Sequence, residues 1–241
     1  MMEQSMKISC NSLIKHKEPI TTVCPRDSKQ PSFAMPSPTP TIQKFLDQNK
    51  DTTAPSLLIT FPSGTRIPAP ATKASKPSTT GEPTFSVNQS CLRTHVPGAK
   101  YIALSLDVDA PSPSFPLLSP ILHYLHTDLV AAAPPSPPIS ETDTATDTWV
   151  QLTPSSGEGT LEAPLTSWLP PGPPRFSAPH RYIFLVWEQP ENMGREEVRV
   201  TLGLGQEESG LWGKIRYDTE GFVEKLKLGE IVAGTWMDVG S

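Results

Sequence analysis

Two short stretches of this chain gather the residue types that bind anions and hold protons. The first is Asp107-Val108-Asp109-Ala110-Pro111-Ser112, followed by His123-Tyr124. The second is Gly172-Pro173-Pro174, followed by Pro179-His180-Arg181-Tyr182 and the run Ile183 to Gln189. Each puts a carboxylate or a histidine where an apolar strand meets a proline-rich loop, a common setting for site residues. Histidines donate N–H bonds to phosphate or carboxylate oxygens, and an aspartate partner fixes the tautomer and raises the basicity of the ring. Gly172 offers a bare backbone N–H, and the prolines stiffen the wall beside it. This is the inventory of a small pocket for an anion or a polar head group. It is not that of an obvious catalyst. G-x-S-x-G, H-E-x-x-H and G-x-x-x-x-G-K-[ST] do not occur, no cysteine stands beside a histidine, and no serine has a base partner in sequence. No residue is assigned a catalytic role.

Each residue also has a plainer reading. Asp107-x-Asp109 is a possible divalent-metal pair, since hard carboxylate oxygens suit hard cations. That use needs a βαβ nucleotide domain upstream, where the chain is loop-rich, so no metal site is expected. One of the two carboxylates, Asp109, is expected to cap the turn before Pro111 through an Asx-type bond. His123 lies among Ile121, Leu122, Tyr124 and Leu125 and has the surroundings of a hydrogen-bonded core residue. On a strand, His123 and His126 fall on opposite faces, which makes them a poor metal pair; on a helix they share one. His180 and Tyr182 share a face, and Arg181 between them points the other way into a structural ion pair.

The elements that must hold these residues are mostly strands. The patterning predicts strands at Ser56 to Phe61, Pro83 to Asn88, Lys100 to Asp107, Ile121 to Val130, Trp149 to Leu152, Tyr182 to Trp187 and Ile231 to Met237. Lys100 to Asp107 is apolar on both faces at its centre and is placed centrally. Thr219 to Leu228 reads as a helix, with Phe222, Val223, Leu226 and Leu228 on its apolar side and Gly229 as C-cap. Residues 1–24 are expected to hold a short helix from Asn11 to Lys17, capped by Asn11 and stopped by Pro19. Residues 25–55, rich in Pro, Ser and Thr, and residues 66–82 read as irregular. Residues 131–148 are low-complexity and acidic, and are expected to be a flexible insertion within one domain spanning 56–241. The fold class is mainly β (α+β): a central antiparallel sheet or sandwich with a few flanking helices.

Bulk composition bounds the function. The chain has 241 residues and 29 prolines, where an ordinary domain of this length would carry about 12. A net charge of −5 with no basic run argues against nucleic acid or anionic membrane surfaces as main partners. The three cysteines, Cys10, Cys24 and Cys91, lack C-x-x-C spacing and read as free thiols, with a Cys10–Cys24 bridge as the alternative. No apolar run is long enough to span a bilayer, and Met1 to Asn11 has no signal-peptide core. A soluble, cytoplasmic protein is the expectation.

Taken jointly, Asp107 to Ser112, His123, Gly172-Pro173-Pro174 and Pro179 to Tyr182 resemble the phosphatidylethanolamine-binding protein family. So do the trailing strand Tyr182 to Gln189 and the tail Ile231-Val232-Ala233-Gly234-Thr235. The wording Ser177-Ala178-Pro179-His180-Arg181-Tyr182 and the stretch Asn11 to Thr22 look like fungal members. The resemblance implies the fold of that family, no cofactor, and a pocket for a phosphate- or carboxylate-bearing ligand lined by Asp107, His123, Gly172, Pro173, His180 and Tyr182, with Asp109 and Pro111 at its rim. It implies a regulator, inhibitor or scaffold, with a partner enzyme as a further possibility. The alternative is an auxiliary or catalytic component of a fungal secondary-metabolite pathway, acting on anionic polyketide-derived units as in anhydride dimerisation. The chain departs from the family pattern at Val108, at Leu122, where many members carry an aromatic, and at Phe176 to Pro179, where a Gly-rich approach is usual.

Overall fold

A strand that is apolar along both faces must be covered on both faces. The computed structural model shows how the two longest such strands are covered. It describes residues 39–52, 55–92, 98–132, 149–157, 160–205 and 210–241. The expected helix at Asn11 to Lys17 and nearly all of the 131–148 insertion lie outside these residues.

The strands are β1 (Leu57–Thr60), β2 (Arg66–Ile67), β3 (Thr72–Ala74), β4 (Thr84–Asn88), β5 (Lys100–Asp107), β6 (Ile121–Ala131), β7 (Trp149–Pro154), β8 (Ser156–Gly157), β9 (Thr160–Leu161), β10 (His180–Glu188) and β11 (Ala233–Val239). The helices are α1 (Pro40–Asn49), α2 (Arg195–Thr201), α3 (Leu211–Lys214) and α4 (Thr219–Leu226). Nine strands form one sheet in the order β2-β1-β4-β7-β6-β5-β10-β11-β3. All of its pairings are antiparallel except β3 on β11. The sheet curls on itself: the Ser56 hydroxyl, just before β1, donates to the Gly234 carbonyl at 3.2 Å and accepts from its N–H at 3.1 Å.

Alternation along β10 explains the unbroken apolar run in the sequence. Tyr182, Phe184 and Val186 point into one cluster with Phe61, Phe85, Tyr101, Ala103 and Tyr124. Ile183, Leu185 and Trp187 point into a second, filled by Ile42, Phe45 and Leu46 of α1, Val198 of α2, and Phe222 and Leu226 of α4. The strand is therefore buried between a strand-lined core and a helix layer.

Several expectations are corrected. Within the stretch read as irregular at 25–55, Pro40–Asn49 is helical, with Pro40 in its first turn. Short isolated helices are marginal in water, and tertiary burial of Ile42, Phe45 and Leu46 supplies what propensity does not. The loop at 66–82 contains β2, β3 and a 3₁₀ turn at Lys76–Thr79. Helix α4 ends at Lys227, in the left-handed region at φ 53°, and not at Gly229. His123 and His126 lie on a strand, yet they do not fall on opposite faces. Leu106 pairs with Leu122 and Ser105 with Tyr124, so His123 is the extra residue of a β-bulge. The extra residue shifts the alternation. His123 turns its ring toward Tyr182, and His126, opposite Ala103, lies on the same side.

Candidate functional site

The site forms where β5 ends, β6 begins and β10 begins. Tyr182 pairs with Asp107 across β10 and β5, and Asp107 pairs with Ile121 of β6. Register thus brings residues far apart in sequence to one end of the sheet. The Ser119 hydroxyl closes the intervening loop, accepting from Ala110 N–H at 2.7 Å.

Asp107 is buried and organises the rest. Its Oδ1 accepts the backbone N–H of Asp109 at 2.9 Å. Its Oδ2 faces Nδ1 of His180 at 2.9 Å, and its charge acts on the neighbouring Tyr182 phenol. The Asx-type turn expected of Asp109 is therefore made by Asp107, which holds the turn and His180 at once. Asp109 is turned away: it accepts from Arg181 N–H and Nε at 2.8 Å each and from Nη2 at 2.7 Å. Arg181 thus makes the structural ion pair expected of it.

His180 is 1% exposed. Its Nε2 lies 2.9 Å from Ser177 Oγ and 3.2 Å from the Pro111 carbonyl. Burial pushes its pKa down, but the Asp107 hydrogen bond, the charges of Asp107 and Asp109, and the Pro111 carbonyl together carry it above the ordinary value of 6.5. Ser177, His180 and Asp107 have the connectivity of a nucleophile, a base and its orienting group. The chemistry is different. The Ser177 hydroxyl donates to the Ala178 carbonyl at 2.8 Å, and the Pro111 carbonyl requires a proton on Nε2. His180 is held as a donor at both nitrogens, not as a base.

His123 is the electrostatic opposite. Its Nδ1 donates to the Leu169 carbonyl at 2.6 Å, which leaves Nε2 as the acceptor. Burial lowers its pKa, with partial offset from the Leu169 carbonyl and Asp107, so the ring is neutral. Both imidazoles flank Tyr182: His123 meets it edge-on with centroids 5.0 Å apart, and His180 stacks at 6.4 Å. Burial, followed by the Asp107 charge, raises the Tyr182 pKa and keeps the phenol protonated.

Gly172 is close to the site, near enough to the Tyr182 phenol to pull its pKa slightly down against the larger effect of burial. A Cβ built on Gly172 would meet nothing within 4 Å. Pro173 is buried, and its carbonyl accepts Lys76 Nζ. Asp107, His123, His180, Tyr182, Gly172 and the Pro111 carbonyl are thus brought together, while Asp109 and Pro173 buttress them from outside. Among the described residues no group of three or more His, Cys, Asp or Glu could hold a metal ion.

A family model described as phosphatidylethanolamine-binding protein matches residues 59–229. The chain belongs to the phosphatidylethanolamine-binding protein family. Among solved structures it is similar to a carboxypeptidase Y inhibitor complexed with its cognate proteinase. The TM-score is 0.56 at 18% identity over 83% of this chain and 92% of that one. It is also similar to a phosphatidylethanolamine-binding protein from Plasmodium vivax, with TM-score 0.51 and 14% identity over 83% and 94%. At these identities the likeness establishes the fold. No curated protein matches the chain.

Sequence reasoning missed Ser177 and Trp168. Ser177 sits in the stretch that departs from the family pattern, three residues before His180, and only the turn of the chain aims its hydroxyl at the ring. Trp168 lies 6.1 Å from His123, stacks on Phe184 at 6.0 Å, and donates to the Thr79 carbonyl at 2.9 Å. It supplies from another segment an aromatic neighbour that Leu122 does not. Leu169 N–H donates to the His123 carbonyl at 2.8 Å, which draws this segment against β6.

Proposed function

We propose that this member of the phosphatidylethanolamine-binding protein family binds a phosphate- or carboxylate-bearing ligand at the His180–Asp107 site and acts as a regulatory or inhibitory module on a partner. The observation that carries the reading is the pairing of a protonated, Asp107-held His180 with a neutral His123 on either side of Tyr182. One ring donates to an anionic oxygen and the other accepts a proton. A phosphate monoester monoanion, or a half-protonated dicarboxylate, presents that combination. In this reading the ligand oxygen takes the place of Ser177 Oγ, which sits on the loop after Pro174. The structural similarity to a proteinase-bound inhibitor supports a partner-directed role at the level of fold alone.

The test is isothermal titration with phosphoethanolamine, inorganic phosphate and short dicarboxylates, run on wild type and His180→Ala. Binding should be lost in the variant. It should also weaken by up to tenfold per pH unit once the pH exceeds the raised pKa of His180, because a single proton is involved. Affinity that is flat with pH, or unchanged in His180→Ala, would refute the reading. Dicarboxylates bound in preference to phosphate esters would move the ligand class toward diacids.

A further inference from the structure

Lysine is among the side chains least often buried, because its ammonium group needs water or oxygen acceptors around it. Lys214, the last residue of α3, is 8% exposed. Backbone pairing fixes where it sits. Ile215 forms an antiparallel bridge with Ile121 at the start of β6, and Tyr217 N–H donates to the Pro120 carbonyl at 2.8 Å. Running antiparallel from Ile215, Lys214 comes level with Leu122, next to the bulged His123. A lysine so placed buries its stem against apolar neighbours and turns its head to polar space. Its charge reaches His123, lowering the pKa of that ring by more than the charge of His180 does.

The charges around the site are therefore uneven. Asp107 is paired with His180, and Asp109 with Arg181. Both carboxylates are thus matched by a cation, and Lys214 adds a further one. The three segments that frame this end of the sheet, residues 110–127, 163–179 and 210–217, contain no Asp or Glu. An ammonium group brought here by a ligand meets like charge on Lys214 and on protonated His180. A second anionic group meets opposite charge, in surroundings where such interactions are stronger than in water.

We propose that Lys214 is a specificity-determining residue of the His180 site, which selects ligands with two anionic groups a short linker apart, one on His180 and the second on Lys214. Phosphocarboxylates and small dicarboxylates share this chemistry. A zwitterionic head group such as phosphoethanolamine, whose tail is an ammonium, is disfavoured. The assignment rests on the anion-binding reading of His180 and narrows its ligand class.

Isothermal titration with three phosphate monoesters of similar size tests it: phosphoglycolate, ethyl phosphate and phosphoethanolamine, whose tails are anionic, neutral and cationic. Succinate and its monomethyl ester repeat the comparison with a carboxylate in place of the phosphate. In wild type, phosphoglycolate should bind about tenfold or more tighter than ethyl phosphate, the worth of one added charge-assisted hydrogen bond, and phosphoethanolamine should bind weakest. A preference for the dianion among the phosphates alone would place phosphate on His180; among the succinates alone, a carboxylate. Lys214→Met keeps the stem, removes the charge and should bring the three phosphates to similar affinity. Lys214→Arg should preserve their order, and Lys214→Glu should reverse it. Each ratio is taken within one variant, so a general loss of stability does not imitate the effect. Without ligand, Lys214→Met should raise the His123 pKa followed by NMR. Equal affinity for the anionic and neutral tails in wild type, or a preference that survives Lys214→Met, would overturn the role of Lys214. Loss of binding in His180→Ala would then leave the anion site itself standing. If none of these compounds binds, both readings fall.

Discussion

Replacing Asp107 with asparagine tests the electrostatic core of the site. The carboxylate accepts from Asp109 N–H at 2.9 Å and from His180 Nδ1 at 2.9 Å, beside the Tyr182 phenol. An amide has one oxygen and one NH₂. If its oxygen stays on Asp109 N–H, its NH₂ faces His180, which must then present a lone pair at Nδ1. The protonated ring is lost, and a buried charge-assisted hydrogen bond with it, worth about 1.5–3 kcal/mol. At the upper end the expected deficit is about 3 kcal/mol, or roughly 6–12 °C in melting temperature for a domain of this size. Its pH dependence has a definite sign. His180 titrates above its free value of 6.5, so the stabilisation from its protonation is complete below that value and is lost as pH rises through the folded pKa. The deficit of Asp107→Asn should therefore be about 3 kcal/mol near pH 6 and shrink toward about 1 kcal/mol near pH 9, where only a neutral hydrogen bond remains. Urea denaturation at both pH values, with an NMR titration of His180, measures this. An equal deficit at both, or a wild-type His180 titrating below free imidazole, would refute the reasoning.

Arg181→Ala should destabilise more than Asp109→Ala, about 3 kcal/mol against about 1–2, because Asp109 is 3% exposed and would be left charged and unpaired, while Arg181 at 38% can regain water; chemical denaturation of both variants decides it. A fluorophosphonate probe should leave Ser177 unlabelled, since His180 is not a base; labelling detected by mass spectrometry would contradict that assignment. Gly234→Ala should cost about 1–3 kcal/mol, because its Cβ would meet Phe45 ring carbons at 2.5 and 2.7 Å; a shift in Trp236 fluorescence, from the ring packed 6.1 Å from Phe45, would report the displaced helix. Gly172→Ala should be near neutral, because a Cβ there would meet nothing within 4 Å; a thermal melt checks it.

The strands that carry the site were legible because each is a short apolar run closed by turn residues. Lys100–Asp107 is observed with the bounds read from the sequence, and the expected helix at 219 starts at Thr219 behind an Asp218 cap. Helix α1 was not legible. Its local signal, two prolines and a polar tract, is that of a loop, and only the surface offered by Trp236 and the second core cluster makes it worth folding. The site types were legible in the same uneven way. That His180 and Tyr182 share a face follows from strand alternation, and so does the opposite direction of Arg181; Asp107 joins them only through the pairing of β5 with β10.

Sequence by itself determined the composition of the site, the face each β10 residue takes and the family to which the chain belongs, because these depend on residue type and a period of two. Tertiary structure decided the roles. A bulge, invisible to periodicity, turned His123 to the side of Tyr182. Burial and partners then made two chemically identical imidazoles opposite, one neutral against Leu169 and one protonated between Asp107 and Pro111. Protonation depends on what is near in space, and sequence distance does not report that.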